Sequence, residues 1–493
     1  MRDDSTQALT GSDPSSTTAV AGERSKLYYF SIVGLLILAT EVVGFEFTFI
    51  YPAVGQIAAE FQTQQVAWAL TILYLGGAAV VPVVGKLADI HGKKKMFVRC
   101  AACFLAGTLV CALAPSFAVF MTGRALQASA LPFFVLGYGL IRDLLPARLV
   151  PIGLGCLATS TGVSAILSTF LGGWLIDAHG FRATFWFLFG YMGVLLLAVI
   201  AFLPESPVRS PQRVDYKGAL LLVLGCSVLL VSLAMKGPML AAALLISVGL
   251  LVTFYLSQKK IASPLIDPSI LTRPAFFLTL ASTGTLTVAW AGYGFLFPQL
   301  LMTPHGPGAE YGFGLSAVEL ALWHGLPMGL GTMLCGLLGG WLARRSGPRA
   351  VLVLGALLLL TACLMVAFVA PTTDNAWVFR LMSFVDGAAA GFFQAGTQNI
   401  IVETVPADRQ GISGSMNFMV QSLGGSVATA GLTALLLKHP LGTSKAGTFL
   451  FTWEGYRTVF LTAAAFALLA LLISLARRDG HTPASGGLVS GAH

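Results

Sequence analysis

Long apolar blocks, separated by short breaks that carry charges, Gly or Pro, run along almost the whole chain. Each block is roughly 18 to 28 residues long, close to the ~20 residues with which a helix crosses ~30 Å of hydrocarbon. The block at 219–235, ALLLVLGCSVLLVSLAM, shows no alternation of apolar and polar residues and exceeds the ~10 residues of a barrel strand. Because a chain in lipid must satisfy its backbone polar groups internally, the pattern predicts membrane-spanning α-helices.

Fourteen such spans are predicted, which gives an all-α integral membrane protein with both termini on one side. The spans lie near 28–56, 66–84, 97–114, 117–141, 150–176, 183–203, 218–235, 238–257, 276–302, 315–342, 350–370, 377–402, 411–436 and 457–476. The terminal stretches, 1–27 and 477–493, are predicted to be tails that lie on the same side of the membrane. The first is expected to be disordered because it is polar and rich in Ser, Thr, Asp and Gly.

Composition and charge exclude a water-soluble protein. Hydrophobic residues make up 56% of the chain and charged residues only 10%, against about 25% charged in a usual globular domain. The formal charge of +8 does not point to nucleic acid, because 22 of the 29 Lys and Arg residues fall in alternate loops on the side of the termini, and only five in the opposite loops. Since Lys and Arg are retained in cytoplasmic loops, both termini are predicted to be cytoplasmic.

Neither a metal site nor an enzymatic site is indicated. The seven Cys residues all fall inside predicted spans without metal-ligand spacing, so we expect them to be buried apolar side chains. The sequence has no phosphate-binding loop and no local arrangement of Ser, His and Asp. We therefore expect no cofactor, no metal and no enzyme activity.

The chain contains an internal repeat. The segment Gly85-Lys-Leu-Ala-Asp-Ile-His-Gly-Lys-Lys-Lys follows the second predicted span, and Gly340-Trp-Leu-Ala-Arg-Arg-Ser-Gly-Pro-Arg follows the tenth. The repeat predicts two six-helix halves, 28–203 and 275–476, with helices 7 and 8 and their flanking loops inserted at 204–274. Transporters are commonly built from such repeats, with the substrate path at the interface between them.

These features resemble the major facilitator superfamily, and in particular its fourteen-span branch of drug/proton antiporters. The signature loop between spans 2 and 3 of that family, which latches the two halves in one gating state, is matched here by Gly85, Asp89, Gly92, Lys93 and Lys94. The two glycines would permit a tight helix-to-helix turn, and the lysines would bind the anionic inner leaflet. One position departs from the family pattern, since Ile90 stands where Arg is usual.

A charged residue inside span 4 carries a second resemblance. Arg124-Ala-Leu-Gln127 is similar to the antiporter motif of the family. A charge at mid-membrane costs roughly 2.5–3.5 kcal/mol, so Arg124 is expected to face the interior and to pair with Glu41 or Glu46 of span 1. These two carboxylates lie about 140° apart around a helix and are not expected to share one role. We predict that Glu46 accepts the proton or contacts a cation and that Glu41 is second; the alternative is a Glu46–Arg124 pair that serves packing only.

Span 5 carries a third, incomplete resemblance. It reads Ser168-Thr-Phe-Leu-Gly172-Gly173, whereas antiporters of the family have Gly-Pro before the Gly pair. Small residues at these positions would still allow close packing against the other half. The missing Pro removes a helix kink, so antiport is less strongly indicated than the fold.

Further polar and aromatic residues are candidates for lining a substrate cavity. Asp386 in span 12 is expected to be buried, either as a coupling carboxylate or in a structural pair. Aromatic rings near a carboxylate suit lipophilic cations through cation–π contacts, although aromatic residues also simply face lipid. The candidate lining residues are Phe45, Phe49, Gln127, Trp290, Tyr293 and His324, the last of which could instead be a hydrogen-bonded structural residue.

The resemblance implies a secondary active transporter that exports amphipathic or cationic small molecules in exchange for protons by alternating access. It also implies the inner membrane of a bacterium and allows for a periplasmic adaptor protein as a partner. Two alternatives stay open. One is a dedicated exporter of a metabolite or lipid without strict proton coupling, and the other is a membrane sensor or scaffold that transports nothing.

Overall fold

The computed structural model describes residues 25–146, 149–207, 215–232, 235, 237–261, 264, 271, 273–305, 311–404, 410–443 and 449–482. The predicted tails at 1–27 and 477–493 lie largely outside the described residues. So do most of the loops that flank the inserted helices at 204–274.

Helices account for nearly all of the described chain. They are α1 Lys26–Thr48, α2 Ile50–Glu60, α3 Trp68–His91, α4 Lys93–Leu113, α5 Phe117–Gln127, α6 Phe133–Leu144, α7 Val150–His179, α8 Arg182–Phe202, α9 Tyr216–Ser232, α10 Pro238–Gln258, α11 Pro274–Met302, α12 Ala317–Leu320, α13 Leu326–Ser346, α14 Pro348–Phe368, α15 Ala376–Thr404, α16 Gln410–Val427, α17 Thr433–Leu436 and α18 Trp453–Ala476. Short 3₁₀ turns lie at Ala128–Ala130 and Ala370–Thr372, and π-helical turns at Ala321–Gly325 and Ala428–Leu432. An antiparallel ribbon, β1 Pro440–Thr443 and β2 Phe449–Phe451, precedes α18.

Proline and glycine explain where the helices break and turn. Pro52 cannot donate a hydrogen bond to the carbonyl of Thr48, and α1 gives way to α2 at that point. Gly92 and Gly347, with φ of 107° and 83°, end α3 and α13 and lead directly into the next helix. These two glycines hold equivalent places in the sequence repeat, so both halves make the same turn. Because α3 continues to His91, Gly85 lies inside the helix and the turn is made at Gly92.

Among the residues that the structure describes, twelve helical segments are at least 18 residues long and apolar enough to cross a membrane. Two of the fourteen predicted spans are not among them. One is α7, which has 30 residues but includes side chains outside the description, and the other is α9, which has 17 residues. The fold is therefore an all-helical membrane bundle, and the count of fourteen spans stays a prediction.

The bundle has two ends, which we name by the helices that begin and finish there. The proximal end is where α1 begins and α18 ends, and the distal end is where α2 leads into α3. A buried apolar cluster drawn only from residues 32–203 packs the first half together. We call the region where α3 packs along α16, and α7 along α12 and α13, the junction between the halves.

The inserted helices α9 and α10 form a hairpin that packs on α3. Asp215 joins the two, because it accepts hydrogen bonds from the Gly218 amide at 2.8 Å and from the Gln258 side chain at 2.6 Å. Phe254 of the hairpin shares an apolar cluster with Phe276 of α11, in the second half. The hairpin therefore contacts both halves from outside the junction.

Candidate functional site

A buried ion pair joins α1 to α5. The Arg124 guanidinium donates to the Glu46 carboxylate, and both residues are only 1% exposed. The same Arg124 Nη1 donates to Gln127 Oε1 at 2.9 Å, and Arg124 Nε donates to the carbonyl of Ala69 in α3 at 3.1 Å. Gln127 donates in turn to Thr108 Oγ1 of α4 at 3.1 Å. Four helices of the first half thus hold the pair from all sides.

Among the described residues, the hydrogen bonds of this pair stay within the first half. The groups that bond it come from α1, α3, α4 and α5, all in the first half. Within the described residues, Glu46 Oε2 and Arg124 Nη2 have no hydrogen-bond partner. The site therefore has one free acceptor and one free donor atom on oppositely charged groups, buried together.

The other face of α1 packs against α8. Phe45 lies against Phe187 and Tyr191, with ring centroids 5.9 Å and 5.3 Å apart, and Phe49 lies 5.9 Å from Phe187. Glu41 is buried on the same side, within electrostatic reach of Tyr191. The structure therefore places Phe45 and Phe49 inside the first half, not on a cavity between the halves.

The second half buries its own carboxylate, Asp386 of α15, which is 0% exposed. Tyr293 of α11 is also fully buried, stacks on Phe297, and lies within electrostatic reach of Asp386. One helical turn before Asp386, Ser383 bonds to His324 Nδ1 at 3.1 Å. Trp290, on α11, is partly buried against the same apolar core.

Sequence reasoning missed the polar residues at the junction itself. Thr71 of α3 and Thr429, in the second half, share a hydrogen bond of 2.8 Å between their hydroxyls. Tyr74 of α3 bonds to Tyr51 of α2 and packs against Gly425 of α16, where a β-carbon would lie 2.5 Å from the ring. Uncharged hydroxyls inside apolar spans are common, so nothing in the sequence distinguishes Thr71, Tyr74 and Thr429.

The distal end of the junction is closed. The Asp177 carboxylate of α7 accepts the amide of Ala317 at 3.1 Å and that of Val318 at 2.9 Å, at the start of α12. One turn earlier Gly173 lies so close that a β-carbon there would stand 2.7 Å from the carbonyl oxygen of Ala317. Gly172 instead accommodates Phe49, the residue between α1 and α2. The Gly pair thus serves two contacts, one within the first half and one across the junction.

At the proximal end, the turn at Gly92 is fixed by acidic partners. The Glu205 carboxylate accepts the amides of Lys94 and Lys95, at 2.9 Å and 3.2 Å, and so caps α4. Lys93 forms an ion pair with Asp143 and lies 3.9 Å from Asp89.

The side chains of Lys93 and Lys94 both have protein partners. The Lys94 ammonium donates to the Ile200 carbonyl at 2.8 Å. Gly85, within α3, faces Ser415 of α16. The structure thus brings Gly85, one of the residues that match the signature loop, to the junction.

No group of three or more His, Cys, Asp or Glu residues that could hold a metal ion occurs in the described part of the chain. The charged side chains buried in the bundle are instead single carboxylates and arginines. Their arrangement can bind protons or organic cations, but it offers no multidentate metal site.

Comparison with known proteins places these features in one family. The model of the Major Facilitator Superfamily matches residues 36–429. Among similar proteins, the multidrug resistance protein B homolog of Mycobacterium tuberculosis is 27% identical, over 82% of this chain and 75% of that protein. The uridine/deoxyuridine transporter of Lactococcus lactis is 26% identical, over 85% of this chain and 90% of that protein.

Solved structures show the same fold. A bacterial homolog of the human lysosomal transporter spinster, in an inward-facing and unoccupied conformation, superposes with a TM-score of 0.67. The two sequences are 15% identical, and the match covers 92% of this chain and 97% of that one. The resemblance at this level concerns the fold alone.

Proposed function

Since this chain belongs to the major facilitator superfamily of multi-pass membrane transporters, we propose that it exports amphipathic or cationic small molecules in exchange for protons. The observation that carries the proposal is the burial of carboxylates inside a membrane bundle, Glu46 in one half and Asp386 in the other. An ionisable group costs several kcal/mol in such surroundings unless it has a partner or a function, and intramembrane carboxylates typically carry protons or cations. The name of the Mycobacterium tuberculosis relative also supports export of drugs.

The chemistry follows from the balance between burial and pairing. Burial favours the neutral form of a carboxyl group, whereas a neighbouring guanidinium favours the ionised form. A conformational change that alters either condition makes the carboxyl group bind a proton on one side of the membrane and release it on the other. The candidate coupling groups are Glu46 with Arg124, Glu41 and Asp386.

The proposal includes a topology. The chain crosses the membrane fourteen times, as in drug/proton antiporters, with α7 and α9 as the fifth and seventh spans. The proximal end, which carries most of the Lys and Arg residues, is cytoplasmic. The halves 28–203 and 275–476 alternate about the junction, the hairpin at 204–274 accompanies them, and in a bacterial inner membrane a periplasmic adaptor protein would dock at the distal end.

Everted membrane vesicles test the proposal. With an acidic lumen, ethidium added outside should enter the vesicles and release lumenal protons, so that a lumenal pH indicator reports alkalinisation. Vesicles that contain the Glu46→Gln, Asp386→Asn double variant provide the matched control and should show neither change. Ethidium binding to the purified protein without any flux would instead favour a sensor.

A second candidate is a transporter dedicated to one metabolite. Two observations favour it: the name of the Lactococcus lactis relative, and Ser168 and Thr169 where antiporters of the family have Gly-Pro. Uridine, which is neutral, serves as the discriminating probe in the same vesicles. Uptake of uridine with no response to ethidium would replace the exporter of cations by this alternative.

A further inference from the structure

The two buried carboxylates have very different surroundings. Glu46 bonds to an arginine that is itself held by two further acceptors. Both Asp386 oxygens are fully buried and have no hydrogen-bond partner among the described residues. The first carboxylate is therefore neutralised by its partner, whereas the second has none.

In the part of the chain that the structure describes, the elements around Asp386 supply no positive charge to it. Those packed against α15 are α13, α14, α11, α16 and the π-helical turn at Ala321–Gly325. These elements and α2 direct the titratable side chains of Tyr293, Cys363, Tyr51 and His324 toward the part of the bundle that holds Asp386. Cys335 lies farther along, beside Gly391. The described part of α16 contributes no titratable side chain. His324 is 4% exposed and bonds to Ser383.

The position of Asp386 is also rigid. The next residue, Gly387, lies directly on the backbone of Met328 in α13, with no room for a side chain. Thr332 donates to the carbonyl of Gly387 at 3.1 Å. The backbone that carries Asp386 is therefore held closely against α13.

In the arrangement of the described residues, an ionised carboxylate in this place would have no counter-ion and no hydrogen-bond donor. The cost of burying such a charge is several kcal/mol even after relaxation, so the group becomes neutral by binding a proton. Glu46 is equally buried, but the guanidinium of Arg124 lies beside it as a counter-ion.

We infer that Asp386 is the residue that takes up and releases the coupling proton, and that Glu46 is a fixed, ionised partner of Arg124. This inference rests on the proposed function and divides its candidate groups into two roles. In the distally closed state described above, Asp386 carries the proton. It loses the proton when the halves separate and water or a substrate cation reaches the carboxylate.

The same geometry connects the proton to the junction. Tyr51 belongs to the first half, yet it lies within electrostatic reach of Asp386 and packs on Phe295 of α11 with ring centroids 6.3 Å apart. Its partner Tyr74 packs against Gly425 of the second half. A negative charge on Asp386 would act on this pair of hydroxyls, so the proton influences the contact between the halves.

The test compares two isosteric variants of the full-length protein, Asp386→Asn and Glu46→Gln, reconstituted into liposomes. The infrared band of protonated carboxyl groups, recorded near neutral pH in deuterated and ordinary water, should be present in the wild type and in Glu46→Gln. It should be lost in Asp386→Asn and return in Asp386→Glu, which also shows that the site tolerates substitution. Loss of the band in Glu46→Gln with retention in Asp386→Asn would overturn the assignment.

A transport assay with the same liposomes is the second part of the test. Ethidium accumulation driven by a pH gradient should fall to the level of empty liposomes in Asp386→Asn and persist in Glu60→Gln, which removes a carboxylate from the ion pair with Arg182 on the distal surface. Gradient-driven accumulation at the wild-type rate in Asp386→Asn would also overturn the assignment. The infrared arm needs no substrate, so failure of the wild type to move ethidium would count against the exporter function alone.

Discussion

The buried guanidinium of Arg124 contacts three groups of the first half: Glu46, Gln127 and the carbonyl of Ala69. Buried pairs of this kind contribute little net stability when they are intact. Breaking one is expensive, because the remaining charge is left buried without a partner. The pair is therefore best examined by removing one charge at a time.

We expect Arg124→Met to destabilise the protein by about 3–5 kcal/mol, because it leaves Glu46 as an uncompensated buried charge. Adding Glu46→Gln to that variant should recover most of the loss. Thermal unfolding of the purified single and double variants measures both effects. If the double variant were as unstable as Arg124→Met, the ion pair would not be the source of the cost.

For single residues, the sequence predicted which charged side chains lie inside the spans but not which residues surround them. A charge in an apolar span is visible in sequence, so Arg124, Glu46 and Asp386 could be singled out. Whether a helix face meets a cavity or another helix depends on distant segments, which explains why Phe45 and Phe49 were expected at a cavity and lie against α8. The isolation of Asp386 likewise depends on α11, α13 and α14, which sequence spacing does not bring together.

Between elements, the halves meet most directly where the Asp177 carboxylate caps the start of α12. Opening the distal end requires these two hydrogen bonds to break. Asp177 belongs to one half and the amides of Ala317 and Val318 to the other, so the contact acts only while the distal end is closed.

We expect Asp177→Ala to favour the distally open state by about 1 kcal/mol, the usual cost of removing a helix cap, or about fivefold in population. Distances between spin labels at Ala178 and Leu322, in a cysteine-free background, should shift toward longer values. Glu60→Ala is the matched control, because it breaks an ion pair with Arg182 on the same distal surface within the first half. An equal shift in both variants would contradict a specific role for Asp177.

The turns between elements could be predicted only in part. The spacing of the repeat indicated the glycines at 92 and 347, and both have positive φ. The sequence did not indicate that α3 continues through 85–91, because a stretch containing Lys, Asp and His reads as a polar loop. Nor could spacing show that Glu205, from beyond α8, caps α4.

For the whole molecule, the helical fold is shown, whereas the number of membrane crossings is proposed. Apolar block length was enough to predict a helical membrane bundle, because hydrocarbon leaves the backbone few alternatives. Block length was not enough to decide whether α9 crosses the membrane, because its 17 residues are short for a span. The hairpin therefore decides between a chain of fourteen spans and one of fewer.

Chemical labelling of single cysteines in whole cells resolves this point. If α9 and α10 both cross the membrane, Gly237→Cys at their connection should react with a membrane-impermeant thiol reagent from outside, whereas Lys260→Cys after α10 should react only in everted vesicles. Lys94→Cys, at the proximal end, should behave like Lys260→Cys. Reaction of Gly237→Cys and Lys260→Cys from the same side would exclude the fourteen-span topology.

The coupling of cation movement to proton movement is the central claim, and a gradient reversal tests it most directly. Proteoliposomes of the wild-type protein with equal pH on both sides would receive ethidium outside only, and then inside only, while a lumenal indicator follows pH. The account predicts lumenal alkalinisation in the first case and acidification in the second, both absent in Asp386→Asn. Ethidium movement at the same rate in both directions with no change in lumenal pH would contradict it.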